Sequence, residues 1–429
     1  MLKYLRLLIA QNILLKVSLF NAIGIFVRVV CGLITSKLIA FYLGASGMAI
    51  LGDLRNFLSS VQSVSQLGIS NGVIKYTAEY KTEKYRFNRL VATALKIGLG
   101  CSIVVGCILV VFSNPINYFV FNGVHDYASI IKITGFVLPL FTLNALLVNV
   151  INGMGAYKKV IQINVATNVL GVVVSALLII YFNLFGALLA LVISGVMAFV
   201  ITGVFLLNKR HYFLQMVGER IDIEIVKKLA SYGGMTLFSA IASPWVYIAI
   251  RKHIIKTDGI VNAGYWDAML RLSEYYMMFA TTLMTLYFLP KLSAVASKKE
   301  FRTEVLNFYK TILPFFGVGL ILIFLLKSYI IKIVFNASFL EMRSIFIWQL
   351  AGDFFRVASL VIAYQLVAKN KFWLFIGTQI LSLSIIYLSS RIFIDAYGFI
   401  GAAMGHLLSY ALYLLVMVGV FYKSLFGRL

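Results

Sequence analysis

Charge is scarce in this chain. Only 12% of its 429 residues are Asp, Glu, Lys or Arg, and 15 of them are acidic against 38 basic. With 61% hydrophobic residues and a mean hydropathy of +0.95, an ordinary soluble domain is excluded. Five prolines leave long helical runs uninterrupted. The three cysteines, Cys31, Cys101 and Cys107, all lie in apolar runs. They read as small buried hydrophobes, not a disulfide framework. Four scattered histidines make neither HExxH nor a Cys/His cluster, so no metal site is expected. No GxxxxGK[ST] loop occurs, which removes that route to ATP. The opening MLKYLRLLIAQ has no small-residue cleavage site before the first apolar run, so a removed signal peptide is not expected.

A formal charge of +23 would suggest nucleic acid in a soluble protein. Here the basic residues crowd the ends of apolar segments, as the positive-inside rule requires, and no nucleic-acid partner is expected. At about 20 residues per span, the chain divides into about twelve transmembrane helices. The expected spans are 13–43, 48–74, 88–113, 127–151, 159–182, 184–207, 228–254, 262–290, 305–327, 338–367, 372–395 and 398–422. Basic residues gather at the N-terminus (Lys3, Arg6, Lys16), in alternate loops (Lys75 to Arg89, Lys158 and Lys159, Lys209 to Lys228, Lys291 to Arg302, Lys369 and Lys371) and in the tail. The other side has GASG (44–47) and NPINYFVFNGV (114–124), both uncharged, and few exceptions such as Lys256, Lys327 and Lys332. Both termini are therefore expected in the cytoplasm.

The longest polar interruption, NKRHYFLQMVGERIDIE (208–224), divides the chain near its midpoint. The expected organisation is an N-terminal lobe over 1–207, a cytoplasmic linker over 208–226 and a C-terminal lobe over 227–429. FVFN (119–122) recurs as IVFN (333–336), TEKYRF (82–87) as SKKEFR (297–302), and LFGALLA (184–190) as FIGAAMG (399–405). All three recur about 215 residues apart, the mark of an internal duplication. An even number of spans per half makes the two lobes parallel.

Polar residues form stripes at helical spacing. The first span carries Asn21, Gly24, Arg28, Cys31 and Thr35; the second carries Arg55, Ser59, Gln62 and Gln66. The seventh carries Tyr232, Thr236, Ser239, Ser243 and Tyr247, with Pro244 expected to kink it. The eighth has Asp267, Arg271 and Glu274, and the tenth Gln349, Asp353 and Arg356. Spans six and twelve lack comparable charge and are expected to face lipid or neighbouring helices. A guanidinium near mid-bilayer costs roughly 2.5–3.5 kcal/mol, so such residues face a bundle interior or wet cavity. Arg28, Arg55, Arg271 and Arg356, with Gln62, Gln66 and Gln349, are the candidate contacts to an anionic ligand. Asp53, Asp267, Glu274 and Asp353 are candidates to bind a coupling ion. The competing account makes Asp267–Arg271, Arg271–Glu274 and Asp353–Arg356 intrahelical pairs that lower the burial cost. Arg28 has no acid on its own helix and must look to another helix, water or ligand. Arg251 and Lys252 read as interfacial residues ending the seventh span, and Lys37 as able to snorkel.

LGASGMAILGDLRNFLSSVQSVSQLGISNGVIKYTAEY (43–80) resembles the opening of Wzx-type flippases of the multidrug/oligosaccharidyl-lipid/polysaccharide exporter superfamily. MRSIFIWQLAGDFFRVASLVIAYQLVAKNKF (342–372) is similar to the same group through its Trp348, Gln349, Gly352 and Asp353 core, and 263–279 and 288–293 agree more loosely. The resemblance implies an all-α polytopic protein of the bacterial inner membrane, with two six-helix lobes in a MATE-like arrangement around a central cationic cavity. It implies a flippase, not an enzyme, moving undecaprenyl-diphosphate-linked oligosaccharide (enterobacterial-common-antigen lipid III or an O-antigen unit) to the periplasmic leaflet by alternating access. Other polysaccharide-assembly membrane proteins would be partners. Arg28 and Arg55 fall where related sequences carry a basic residue, and Arg356 stands where a lysine is common. No cofactor is expected beyond a coupling ion, Na⁺ or H⁺. A multidrug/cation antiporter is the first alternative, but would use acids in the first span, which has none. A polymerase or ligase would show a large periplasmic catalytic loop, and no expected loop on that side is long.

Overall fold

The computed structural model describes residues 13–121, 126–207, 218–288, 291–292, 295, 297–369 and 371–426. Among them the chain is helical throughout, without a strand. Inside lipid a helix meets all its backbone hydrogen bonds locally, so long apolar runs have little other choice. The principal helices are α1 (Ile13–Tyr42), α2 (Gly44–Ser65), α3 (Ser70–Tyr80), α4 (Lys84–Val111), α5 (Ser113–Phe121), α6 (Ala128–Gly153) and α7 (Tyr157–Leu206). They continue with α8 (Ile223–Asp258), α9 (Ile260–Leu283), α10 (Lys298–Leu325), α11 (Lys327–Val334), α12 (Phe346–Ala368), α13 (Phe372–Tyr397) and α14 (Ile400–Val420). Nine helices among the described residues are long and apolar enough to cross a membrane. The 50-residue α7 is divided at Asn183, whose backbone leaves the helical region (φ 48, ψ −129), where the fifth and sixth expected spans meet. Large apolar side chains such as Phe136, Phe315 and Leu415 stand more than 60% exposed, which suits lipid and not water. This is a multi-pass membrane protein.

The chain forms two compact units, one of residues up to Thr35 with Leu54–Ile241, the other of Ser36–Asp53 with Ala242–Leu429. In the first, Val73, Leu90, Val91, Leu146, Val150 and Leu229 form a dry core. Asp222 fastens the start of α8 to α4: its carboxylate accepts from the backbone N–H of Glu224 at 2.9 Å and pairs with Arg89 at 3.2 Å. Beside it the Glu224 carboxylate and the Tyr80 hydroxyl hold the Lys228 ammonium above its usual range. In the same unit α4 and α6 touch backbone to backbone. A Cβ added at Gly106 would lie 2.5 Å from the Gly135 carbonyl oxygen, and one at Gly135 would lie 2.6 Å from that of Gly106. Gly106→Val should therefore destabilise the protein by about 1–3 kcal/mol through overpacking. Gly100→Ala, which meets nothing within 4 Å, should not. Thermal unfolding in detergent checks both, and equal midpoints would contradict the contact.

The second unit packs around Ala49, Ile250, Ile254, Trp266, Ile386 and Ala402. The duplication is visible in the elements themselves. Both α4 and α10 have 28 residues and are followed by a short helix, α5 or α11. The α1–α2 and α8–α9 joints each place a glycine at positive φ, Gly44 at 64° and Gly259 at 88°, which an L side chain resists. Asn183 (φ 48) is matched by Gly398 (φ 62) before α14, in the register of the third sequence match.

Three expectations need correction. The second span is not continuous: Leu67 and Gly68 adopt positive φ and separate α2 from α3. Gly68 has no room for a Cβ, which would fall 2.5 Å from the Gly233 carbonyl oxygen. Gln66 thus leaves the polar stripe and lies in the turn, where its side-chain oxygen accepts from the Ser70 hydroxyl at 2.9 Å. Cys107 is exposed while Cys31 is buried. A thiol facing lipid is as dry as one in a core, so apolar context alone does not fix its burial. Arg251 is not interfacial either. Helix α8 runs on to Asp258, and Arg251 is 1% exposed.

Candidate functional site

In the first unit, Arg28 is exposed on α1. Among the described residues it has no hydrogen bond or ion pair, so of the three partners expected for it, another helix does not supply one there. Arg55 is half-buried on α2, its Nε and Nη2 shielded from solvent. Gln62 lies two turns further on, half-buried, with its backbone carbonyl accepting from the Ser65 hydroxyl at 2.8 Å.

In the second unit the buried charge is arranged otherwise than the intrahelical account expects. Asp267 turns to Arg251, not to Arg271. Arg251 donates through Nη1 to Asp53 at 2.7 Å and through Nη2 to Asp267 at 2.6 Å, and its guanidinium lies 5.5 Å from the Trp266 ring centre. All three side chains are at most 4% exposed. Gly52 makes the space, since a Cβ there would collide with Asp267 and Arg251. One forked cation between two buried carboxylates, joined by short hydrogen bonds, is the strongest form of such a pair. Arg271 instead donates through Nε to the Tyr275 hydroxyl at 2.9 Å, and that hydroxyl meets Ser36 at 2.8 Å. Glu274 is exposed on the same helix, α9. Lys37, half-buried, donates to the Lys332 carbonyl at 2.8 Å.

The tenth-span residues gather around Asp353, which is fully buried. Its Oδ2 accepts from Ser273 at 2.5 Å, Tyr276 at 2.6 Å and Gln349 Nε2 at 3.3 Å, while its Oδ1 meets His406 Nε2 at 3.0 Å. Arg356, the expected partner, stands at 3.9 Å with its guanidinium over the Tyr410 ring. Gln349 also meets the ring nitrogen of His406 at 3.1 Å. The Trp-Gln-x-x-Gly-Asp pattern acquires a physical meaning here. Gln349 and Asp353 hold the imidazole, and Gly352 leaves the gap into which it fits, because a Cβ there would strike His406. The twelfth span, expected to face only lipid and neighbours, supplies that histidine from α14.

Sequence reasoning missed Arg251, His406, Ser273 and Tyr276. Arg251 opens the run Arg-Lys-His, which reads as an interfacial cluster, though the helix continues about two turns beyond it. His406 follows small residues in GAAMGH (401–406), and a polar side chain beside close-packing glycines is the signal that could have found it. Among the described residues no group of three His, Cys, Asp or Glu could hold a metal ion.

Residues 14–296 match the family described as "Polysaccharide biosynthesis protein". The chain is 26% identical over 416 residues to the lipid III flippase of Escherichia coli (strain K12), covering 95% of this chain and 98% of that one. The lipid III flippase of Shigella flexneri gives the same values. An inward-facing multidrug resistance MATE family transporter of the MOP superfamily superposes with a TM-score of 0.72 at 14% identity, over 93% of this chain and 98% of that one. The lipid II flippase MurJ in an inward closed conformation gives 0.70 at 16% identity, over 94% and 87%. These two likenesses carry the fold alone. By the match over most of its length, the chain belongs to the polysaccharide biosynthesis protein family and has the helical fold of MOP-superfamily transporters.

Proposed function

We propose that this protein is a flippase, a secondary transporter and not an enzyme, for undecaprenyl-diphosphate-linked oligosaccharide. The glycan is lipid III or an O-antigen unit. The observation that carries the reading is the end-to-end likeness to relatives named lipid III flippase. The arginines supply a chemical reason. A diphosphate head is polyanionic and matches forked guanidinium donors, and Arg28 has charge to spare for it. Arg55, Arg271 and Arg356 add to the positive field, and Gln62 offers an amide to the sugars. The lipid tail stays in the bilayer while the head crosses by alternating access. The protein works in the bacterial inner membrane with both termini in the cytoplasm.

The direct test is reconstitution in proteoliposomes with an undecaprenyl-diphosphate oligosaccharide whose sugars are accessible to a lectin or hydrolase from outside only. Protein-dependent transfer between leaflets is the expected result, and transfer no faster than in empty vesicles would overturn the reading. Topology has its own check. Reporter fusions at residues 122 and 336 should report the periplasm and those at 84 and 215 the cytoplasm. The reverse pattern would refute the orientation.

A further inference from the structure

The cluster at Asp353 has an unsettled donor count. An amide nitrogen only donates, so if Gln349 Nε2 donates to His406 Nε2 at 3.1 Å, that ring nitrogen holds a lone pair. The 3.0 Å contact from the same nitrogen to Asp353 Oδ1 then needs a proton on the carboxyl. If the ring nitrogen bears the hydrogen and gives it to an ionised Asp353, the Gln349 amide must turn its oxygen towards the ring. Which way the amide points is a matter of hydrogen-bond matching. Neither pattern fills every atom: the first puts two donors on one ring lone pair, and the second turns the Gln349 oxygen towards Asp353 Oδ2 at 3.3 Å. They differ by one proton on the carboxyl–imidazole pair. Two further atoms mark the cluster as unfinished. His406 Nδ1 and Gln349 Oε1 are buried and meet no hydrogen-bonding group among the described residues, so the protein itself leaves one donor or acceptor open on each side chain.

We propose that Asp353 and His406 together form a proton-binding site that is loaded and emptied during the transport cycle. The proton comes from water, joins Oδ1 or the ring nitrogen, raises the cluster's charge by one and returns to water. The binding itself is independent of the flippase reading; its part in a transport cycle rests on that reading. A metal cation fits poorly. Among the described residues no group of three His, Cys, Asp or Glu could hold one, and Asp353 is the one carboxylate among these direct contacts.

The groups around the pair come from every neighbouring helix. On α12, Arg356 stands 3.9 Å from Oδ1. On α14, the Tyr410 ring lies 4.7 Å from the imidazole. Helix α9 contributes Tyr276 and Ser273 directly, and Glu274 acts on Arg356 through space. Helix α8 brings Tyr247 to Tyr410 and within electrostatic reach of Arg356. Helix α13 brings Ser390 against Gly405. Helix α10 brings Phe316 against Tyr276 and Tyr309, whose hydroxyl is spent on the Ala358 carbonyl at 2.8 Å.

The test has two arms on the full-length protein in lipid. In the first, infrared difference spectra follow carboxyl and imidazole bands as pH is changed, with no substrate present. A protonation step in the wild type that disappears in Asp353→Asn and is displaced in His406→Gln is expected. Spectra unchanged by both substitutions would overturn the site. In the second, flipping in proteoliposomes is measured with and without a gradient of about one pH unit, which is worth about tenfold in accumulation per proton. The wild type should respond to the gradient, in sodium or in potassium alike, and both variants should give a ratio near one. A preserved response in the variants, or a response to sodium and not to pH, would refute the proposal. Should Asp353→Asn fail to fold, His406→Gln decides by the same two readouts. Wild-type vesicles that flip nothing would count against the flippase reading, while the spectra still judge the site.

Discussion

Arg251→Met should leave little folded protein in the membrane. The substitution keeps an unbranched apolar stem but removes the central cation between Asp53 and Asp267, both 3% exposed. Breaking a buried ion pair by removing one partner costs about 3–5 kcal/mol, because the remaining charge stays desolvated. Here two charges are left. Asp53 belongs to the stretch Ser36–Asp53, which packs with the C-terminal half in the second unit, so the loss should loosen that stretch first. Protein yield, thermal midpoint in detergent and cysteine accessibility at position 49 or 50 report it. The triple variant Arg251→Met, Asp53→Asn, Asp267→Asn removes the stranded charges and should recover most of the loss. A single variant as stable as the wild type would show that Arg251 does not hold this unit together.

Arg28→Ala should have the opposite signature, with normal yield and lost transport. No ion pair or hydrogen bond among the described residues depends on Arg28, so nothing is stranded when it goes. A charged hydrogen bond to phosphate is worth about 1.5–3 kcal/mol, and its loss should weaken binding of the diphosphate lipid roughly ten- to hundredfold. Arg28→Lys should recover only part, since a point charge replaces a fork. Binding of a short-chain polyprenyl diphosphate to the purified protein and flipping in proteoliposomes measure the effect. Wild-type binding by Arg28→Ala would remove the central support for a cationic substrate site. Arg356→Gln should behave differently. It also takes a cation from 3.9 Å beside Asp353, so yield and binding should fall together.

The difference between these two arginines shows which kind of information each level held. Apolar run length, basic loops and the duplication are properties of order along the chain. In a bilayer they nearly dictate the helices, because unsatisfied backbone is too costly to tolerate there. That Arg28 has no acid on its own helix was equally legible; that no other described helix supplies one was not.

Pairing between helices was not legible. Asp267 has Arg271 one turn away and takes Arg251 from another helix instead, and Asp353 draws more from His406, Ser273 and Tyr276 than from Arg356. Sequence spacing ranks partners on one helix, whereas burial ranks them by which side chain can reach a dry carboxylate with good geometry. That reach is set by small residues such as Gly52 and Gly352, whose missing Cβ atoms open the space. The sequence by itself determined that the chain crosses a membrane many times, in two related halves, with more internal positive charge than its own helices neutralise. Only the tertiary structure decided which acids are already spoken for, because a charge inside lipid takes the partner that packing delivers, and packing joins residues far apart in the chain.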